Sequence, residues 1–250
     1  MKYQFYTTAE YYNALIKLIS QTGKGDRIAL ATMVLLPTHP QVGQVLAAVT
    51  AAARRGVHVR LTVDAQSLLL HKNRYPGPLL YGNLTQPMLP PFRRIFTALQ
   101  QLEQAGVECA IINQPHRQLS NPFGGRSHFK FAVCNDTVLL GGCNLDKSIH
   151  IDLMAGWDDP TTADWLWRLS GDLIEHGSVQ KVLGIKDFQR RLNATTDLLI
   201  DCGIPGQSLI FSEALRLIDT AEREITLTCQ YFPNGIVARR LKAAHKRGVS

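Results

Sequence analysis

Residues 127–154 read SHFKFAVCNDTVLLGGCNLDKSIHIDLM. Two apolar runs, FKFAVC and TVLLGG, flank Asn135-Asp136, residue types that tolerate the backbone angles of a tight hairpin. The spacing predicts a strand, a turn and a returning strand. Residues two apart on a strand share a face. His128 and Lys130 therefore point one way, with Phe129, Phe131 and Val133 opposite. A neutral imidazole beside a fixed ammonium suits attack on a phosphodiester: the lysine neutralises a non-bridging oxygen and the histidine nitrogen reaches phosphorus. Asn144 follows Gly141 and Gly142. Glycines let a backbone approach an anion closely, and an asparagine amide donates to a phosphate oxygen. A nucleophilic histidine also needs an acceptor on its other ring nitrogen, to fix tautomer and orientation. Asp152 is the candidate, because it lies on apolar IDLM, where a carboxylate is costly to bury without a partner.

Outward from this segment, strands alternate with helices. Residues 14–20 read as a helix, 28–36 as a buried strand and 41–55 as a helix with Val42, Val45, Leu46 and Val49 on one face and Gly56 as its C-cap. Residues 57–64 alternate as a half-buried strand does. A helix bearing Ile95, Leu99 and Leu102 follows, capped by Gly106, and then a strand over 107–113. Residues 65–92, with several prolines and glycines, read as a long loop, either a lid over a site or a tolerated insertion. Alternation of this kind predicts an α/β fold with a mixed, largely parallel sheet flanked by helices.

The order of elements recurs near the end of the chain. Residues 213–224 read as a helix, 225–232 as a strand, Pro233 and Gly235 as a turn and 236–247 as a helix ended by Gly248. AAARRGV at 51–57 resembles AAHKRGV at 243–249. The expectation is a complete first unit over 1–200 and a second, truncated unit starting in 201–250. The second unit would continue beyond Ser250, in a C-terminal half of a longer protein.

Composition sets bounds on function. Of 250 residues, 45% are hydrophobic and 19% charged, as in ordinary globular proteins. The net charge of +7 fits an anionic partner, lipid headgroup or nucleic acid. No apolar run reaches the roughly 18 residues of a membrane span, and the N-terminus lacks the core of a signal peptide. The expected location is cytoplasmic, or peripheral on the inner membrane surface. Five scattered cysteines without a CxxC pair argue against a disulfide framework or a zinc site. No metal or other cofactor is expected.

HFK at 128–130 followed by GGCN at 141–144 resembles the phospholipase D superfamily, whose signature is HxK, four residues, an Asp, and later G-[GS]-x-N. The form of the motif is most similar to bacterial cardiolipin synthase-like and phosphatidyltransferase-like members. The resemblance implies an α-β-α sandwich built from duplicated units, each with one such motif. It implies that His128 forms a phosphohistidine intermediate, that Lys130, Asn144 and Gly142 bind phosphate, and that Asp152 orients the histidine. The signature aspartate position holds Asn135, with Asp136 one step later. Either the hairpin shifts to let Asp136 serve, or Asn135 keeps the hydrogen bonds without the charge.

The family mechanism uses a second histidine as general acid. None of His39, His58, His71, His116, His150, His176 and His245 lies in a second HxK…GxN context, so residues 1–250 alone are expected to turn over little or not at all. The expected activity is phosphodiester transfer or hydrolysis on a phospholipid. Two alternatives are a nuclease of the same superfamily, with nucleic acid as partner, and a binding domain whose site has decayed.

Overall fold

A computed structural model describes residues 2–65, 67, 90–114, 127–146, 152–179, 182, 188–200, 208–227 and 235–250. Most of the expected loop 65–92 therefore lies outside the described residues, as do His71, His116 and His150. The main body is a seven-stranded sheet in the order β1-β7-β6-β5-β2-β3-β4. Its strands are β1 (Gln4–Thr7), β2 (Arg27–Thr32), β3 (His58–Asp64), β4 (Glu108–Ile112), β5 (Lys130–Cys134), β6 (Thr137–Gly141) and β7 (Leu153–Asp158). Helices α1 (Thr8–Ser20), α2 (Pro40–Arg54) and α3 (Pro90–Gln104) cover one face, and α4 (Pro160–His176) covers the other.

The fold is α/β with a mixed sheet, as the sequence implies, but the balance of directions differs. The pairs β2–β3 and β3–β4 are parallel, while β1–β7, β7–β6, β6–β5 and β5–β2 are antiparallel. Among the described residues, α2 and α3 supply the helical crossovers that the parallel neighbours β2–β3 and β3–β4 require. The hairpin at Asn135-Asp136 and the return into β7 turn the other half antiparallel. Alternation of strand and helix in the first 113 residues predicts the parallel half, and a two-residue turn predicts the reversal next to it.

Two cores result from the pleat. Leu15, Ile19, Val42, Val45, Val49, Leu61, Ile95 and Leu102 fill the layer beneath α1, α2 and α3. Phe131, Val133, Trp157, Leu166, Leu169 and Leu173 fill the layer beneath α4. Strand β5 is buried on both faces: Phe131 and Val133 enter the α4 layer, Ala132 and Cys134 the other. Helix α4 starts at Asp159-Pro160, where the Asp159 carboxylate accepts from Thr161 N–H at 3.2 Å and a proline occupies the first turn. Cys134 and Cys143 are buried and Cys109 is half-buried, all as free thiols.

Strand β2 stops at Thr32 although the apolar run continues to residue 36. Past that point Leu35 bridges Leu145, and Leu36 N–H donates to the Leu145 carbonyl at 2.8 Å. The remaining apolar residues are used to hold the loop that carries Asn144.

Beyond the sheet, β8 (Phe188–Asn193) and β9 (Thr196–Ile200) form a separate hairpin, followed by α5 (Leu209–Thr220) and α6 (Gly235–Lys246). The helix expected over 213–224 is displaced toward the N-terminus: Ser208 caps it by accepting from Phe211 N–H at 3.0 Å, and Ala221 is already extended. Residues 225–227 of the expected strand 225–232 form no strand, and its remainder lies outside the described residues.

The joints after α2 and α6 are built alike. Arg55 donates to the carbonyls of Ile19 and Thr22, and Arg247 to those of Ile218 and Ala221. Gly56 and Gly248 both have left-handed φ angles, +87° and +93°. Val57 N–H donates to Ala52, and Val249 N–H to Ala244, each at 3.2 Å. His58 N–H donates to Asp26, and Ser250 N–H to Arg223.

Candidate active site

The C-terminal ends of β2, β3 and β4 meet the N-terminal end of β5 at one edge of the sheet, because β5 runs against β2. In open α/β sheets this edge is where ligands bind. Thr32, Asp64, Lys130 and Gly141 all lie at it, and His128 stands just before β5.

Lys130 is 2% exposed, and its Nζ donates to the His128 carbonyl at 2.7 Å. Burial lowers its pKa to about 8, against the opposing pull of the carboxylates of Asp152, Asp146 and Asp64. The lysine is therefore still an ammonium at pH 7, in a place where charge is costly. His128 is exposed, yet desolvation of its ring is the largest cause lowering its pKa. The Lys130 charge adds to that effect and Asp152 opposes it. A lowered pKa leaves the imidazole neutral, with a lone pair, at pH 7.

Asp152 is half-buried and lies against Gly142: a Cβ at that glycine would sit 2.8 Å from the Asp152 Oδ1. The two glycines thus make room for protein. A Cβ at Gly141 would meet the Leu153 carbonyl at 2.2 Å, and Gly142 N–H donates to the same carbonyl at 2.8 Å. The close approach is that of β7 and of Asp152 itself.

Asn144 is fixed through its oxygen, which accepts from Val34 N–H at 3.2 Å. A carboxamide held in this way keeps its NH2 group as a donor. Its segment is tied down by Tyr12, a 1% exposed residue of α1. The Tyr12 hydroxyl is shared between the carbonyls of Asn144 (2.8 Å) and Asp146 (2.6 Å), and accepts from Asp146 N–H at 3.0 Å. Thr32 Oγ1 accepts from Leu145 N–H at 3.1 Å.

His128, Lys130, Gly142, Asn144 and Asp152 therefore gather at one edge. Asn135 and Asp136 lie at the other end of β5, roughly 15 Å along the strand. Asn135 has φ +53°, accepts from Arg27 N–H at 3.1 Å and donates its own N–H to the Arg27 carbonyl at 3.0 Å. Its side chain ties the turn to the first residue of β2 by hydrogen bonding without charge. Asp136 is exposed and accepts, through its carbonyl, from Asp159 N–H.

Sequence reasoning missed Tyr12, Thr32 and Asp64. Tyr12 reads as one more apolar residue of α1, and its partners are more than a hundred residues away. Asp64 ends an apolar strand, and the argument that singled out Asp152 applies to it equally. Of the remaining histidines, His58, His176 and His245 are exposed and His39 is half-buried. Among the described residues, no group of three or more His, Cys, Asp or Glu could hold a metal ion.

A two-sided α/β sandwich with a histidine–lysine pair entering a central strand and a GGxN loop beside it defines a phospholipase D-like domain. The domain family described as cardiolipin synthase, phospholipase D-like, matches residues 15–166, and the chain belongs to it. No curated protein matches. Among solved structures, phosphatidylserine synthase of Haemophilus influenzae Rd KW20 has a TM-score of 0.66 at 14% identity, covering 99% of this chain and 60% of that one. Polyphosphate kinase of Porphyromonas gingivalis has a TM-score of 0.51 at 13% identity, covering 99% of this chain and 36% of that one. Nuc of Salmonella typhimurium, a phospholipase D family member, has a TM-score of 0.48 at 15% identity, covering 71% of this chain and 95% of that one. At these identities the likeness is one of fold. The chain spans 60% of the length of the synthase and 36% of that of the kinase.

Proposed function

We propose that this chain carries the nucleophile-bearing half of a phosphatidyltransferase, cardiolipin synthase-like in its chemistry. The observation that carries the reading is the gathering of His128, the buried Lys130 ammonium and the Asn144 amide, held by its oxygen, at one sheet edge. In this reading a His128 ring nitrogen attacks the phosphorus of a phospholipid and the bond to the leaving alkoxide breaks. Lys130 and the Asn144 amide take the developing charge on the non-bridging oxygens. Asp152 holds the second ring nitrogen, so that the imidazole keeps one tautomer. An acceptor alcohol, or water, then attacks the phosphohistidine and restores the free imidazole.

Protonating the alkoxide needs a general acid, which we assign to a second motif outside residues 1–250. Residues 201–250 would begin the unit that carries it, and the matching joints at Arg55–His58 and Arg247–Ser250 support that assignment. Among the described residues no helix is long and apolar enough to cross a membrane. A phospholipid would then be met from the membrane surface, which the basic charge favours.

A phosphodiester with an activated leaving group makes the first step testable without the general acid. Bis(4-nitrophenyl) phosphate should give a burst of one nitrophenolate per chain and a phosphorylated His128, trapped by alkaline quench and located by mass spectrometry. Absence of the adduct, or a burst that persists in His128→Asn, would reject the proposal. If the protein cleaves single-stranded DNA and leaves phosphatidylglycerol vesicles intact, the nuclease reading replaces it.

A further inference from the structure

Outside the residues already given roles, the buried group that carries most is Asp64. It ends β3, is 1% exposed, and through Oδ2 accepts from Asn113 Nδ2 at 2.7 Å and from Ser127 N–H at 2.8 Å. Asn113, with φ +58°, in turn accepts from Val179 N–H at 3.0 Å and donates its own N–H to the Gly177 carbonyl at 2.8 Å. One carboxylate oxygen thus joins the end of β3, the end of β4, the segment after α4 and the residue preceding His128.

The placement matters because strand pairing holds this part of the chain only from Lys130, which pairs with Gly141. His128 lies one residue after Ser127 and two before the first paired residue. It is suspended between the Asp64 bond on one side and the ladder on the other. We propose that Asp64 is a positioning residue for the histidine: it pins Ser127, so that His128 is held from both sides, and places its charge beside the Lys130 ammonium. The groups around that ammonium are His128 on its own segment, Asp64 from β3, Cys143 and Asp146 from the segment after β6, and Asp152 from the approach to β7. The inference rests on the reading of His128 as the reacting nitrogen.

Two variants separate the parts. In Asp64→Asn the amide oxygen can still accept from Ser127, but the charge is gone; in Asp64→Ala both are gone. Hydrogen exchange at the Ser127 amide should change by less than about threefold in Asp64→Asn and rise about tenfold or more in Asp64→Ala. The Lys130 titration midpoint, read by carbon NMR of labelled lysine, should fall by about half a pH unit or more in Asp64→Asn. The burst rate with bis(4-nitrophenyl) phosphate should fall about tenfold in Asp64→Ala with KM nearly unchanged. Unaltered exchange and an unaltered midpoint in folded variants would overturn the proposal. If Asp64→Ala does not fold, the Asp64→Asn midpoint decides alone. If wild type forms no phosphohistidine but both NMR readouts respond as expected, the functional reading fails and the role of Asp64 in holding this segment stands.

Discussion

Lys130→Met should make the protein more stable at pH 7 while abolishing its chemistry. Burial moves the lysine pKa from 10.5 to about 8. A downward shift of that size corresponds to roughly 3 kcal/mol of preference for the neutral form in the folded state. Because the shift is downward, desolvation outweighs the three nearby carboxylates, and keeping the ammonium charged costs about that much at pH 7. Replacement by methionine removes the cost and loses one hydrogen bond, Nζ to the His128 carbonyl, worth ~1 kcal/mol. The net gain is about 2 kcal/mol, because the attraction of the three carboxylates is already contained in the downward shift. The dependence on pH follows from linkage: between about 8 and 10.5 the unfolded chain binds the proton that the folded chain has released, so wild-type stability rises with pH across that window. The advantage of the variant should therefore be largest below pH 8, shrink at pH 9 and disappear by about pH 10.5. Guanidinium unfolding of both proteins at pH 7, 9 and 10.5 measures this directly. A variant less stable than wild type at pH 7, or an advantage that does not change with pH, would refute the reasoning.

The lowered pKa of His128 means that the unfolded chain takes up its proton first as pH falls below 6.5, so His128→Asn should lose less stability than wild type in mild acid, as followed by thermal unfolding between pH 5 and 7. Gly142→Ala pushes against the movable end of Asp152 and should slow the phosphorylation burst about tenfold or more while changing stability little. Gly141→Ala meets backbone at 2.2 Å and should cost about 2 kcal/mol or more in denaturant titrations. Asn135→Asp should leave the burst rate within about threefold, whereas Asn135→Ala should cost ~1–2 kcal/mol of stability through the lost Arg27 bond and the left-handed φ.

The parts of the fold legible in the sequence are those with local causes. The apolar faces of α2 and α3, the glycine after α2 and the hairpin at Asn135-Asp136 are set by periodicity and turn chemistry within a few residues. The pleat sets His128 and Lys130 on one face, while the glycines before Asn144 and the apolar residues around Asp152 single those two out. What escaped notice depends on distant partners. Strand β2 ends early because Leu35 and Leu36 meet Leu145, and nothing near residue 36 announces that. Tyr12 looks like core until its hydroxyl is seen on Asn144 and Asp146. The paired glycines suggested a cradle for an anion, but the atoms that crowd them belong to β7 and Asp152. Helix α5 was misplaced because Ser208, not residue 213, supplies its cap.

The hairpin of β5 and β6 gives one short stretch of chain two addresses. Its open end, where Lys130 faces Gly141, lies at the proposed site, and its closed end, at Asn135, clasps the first residue of β2. An allele altered at the tip should therefore reveal itself as a change in yield or heat tolerance, and one altered at the mouth as a change in turnover. Comparing the two kinds of damage in a growing cell would tell whether the organism needs the catalyst or only the presence of the polypeptide.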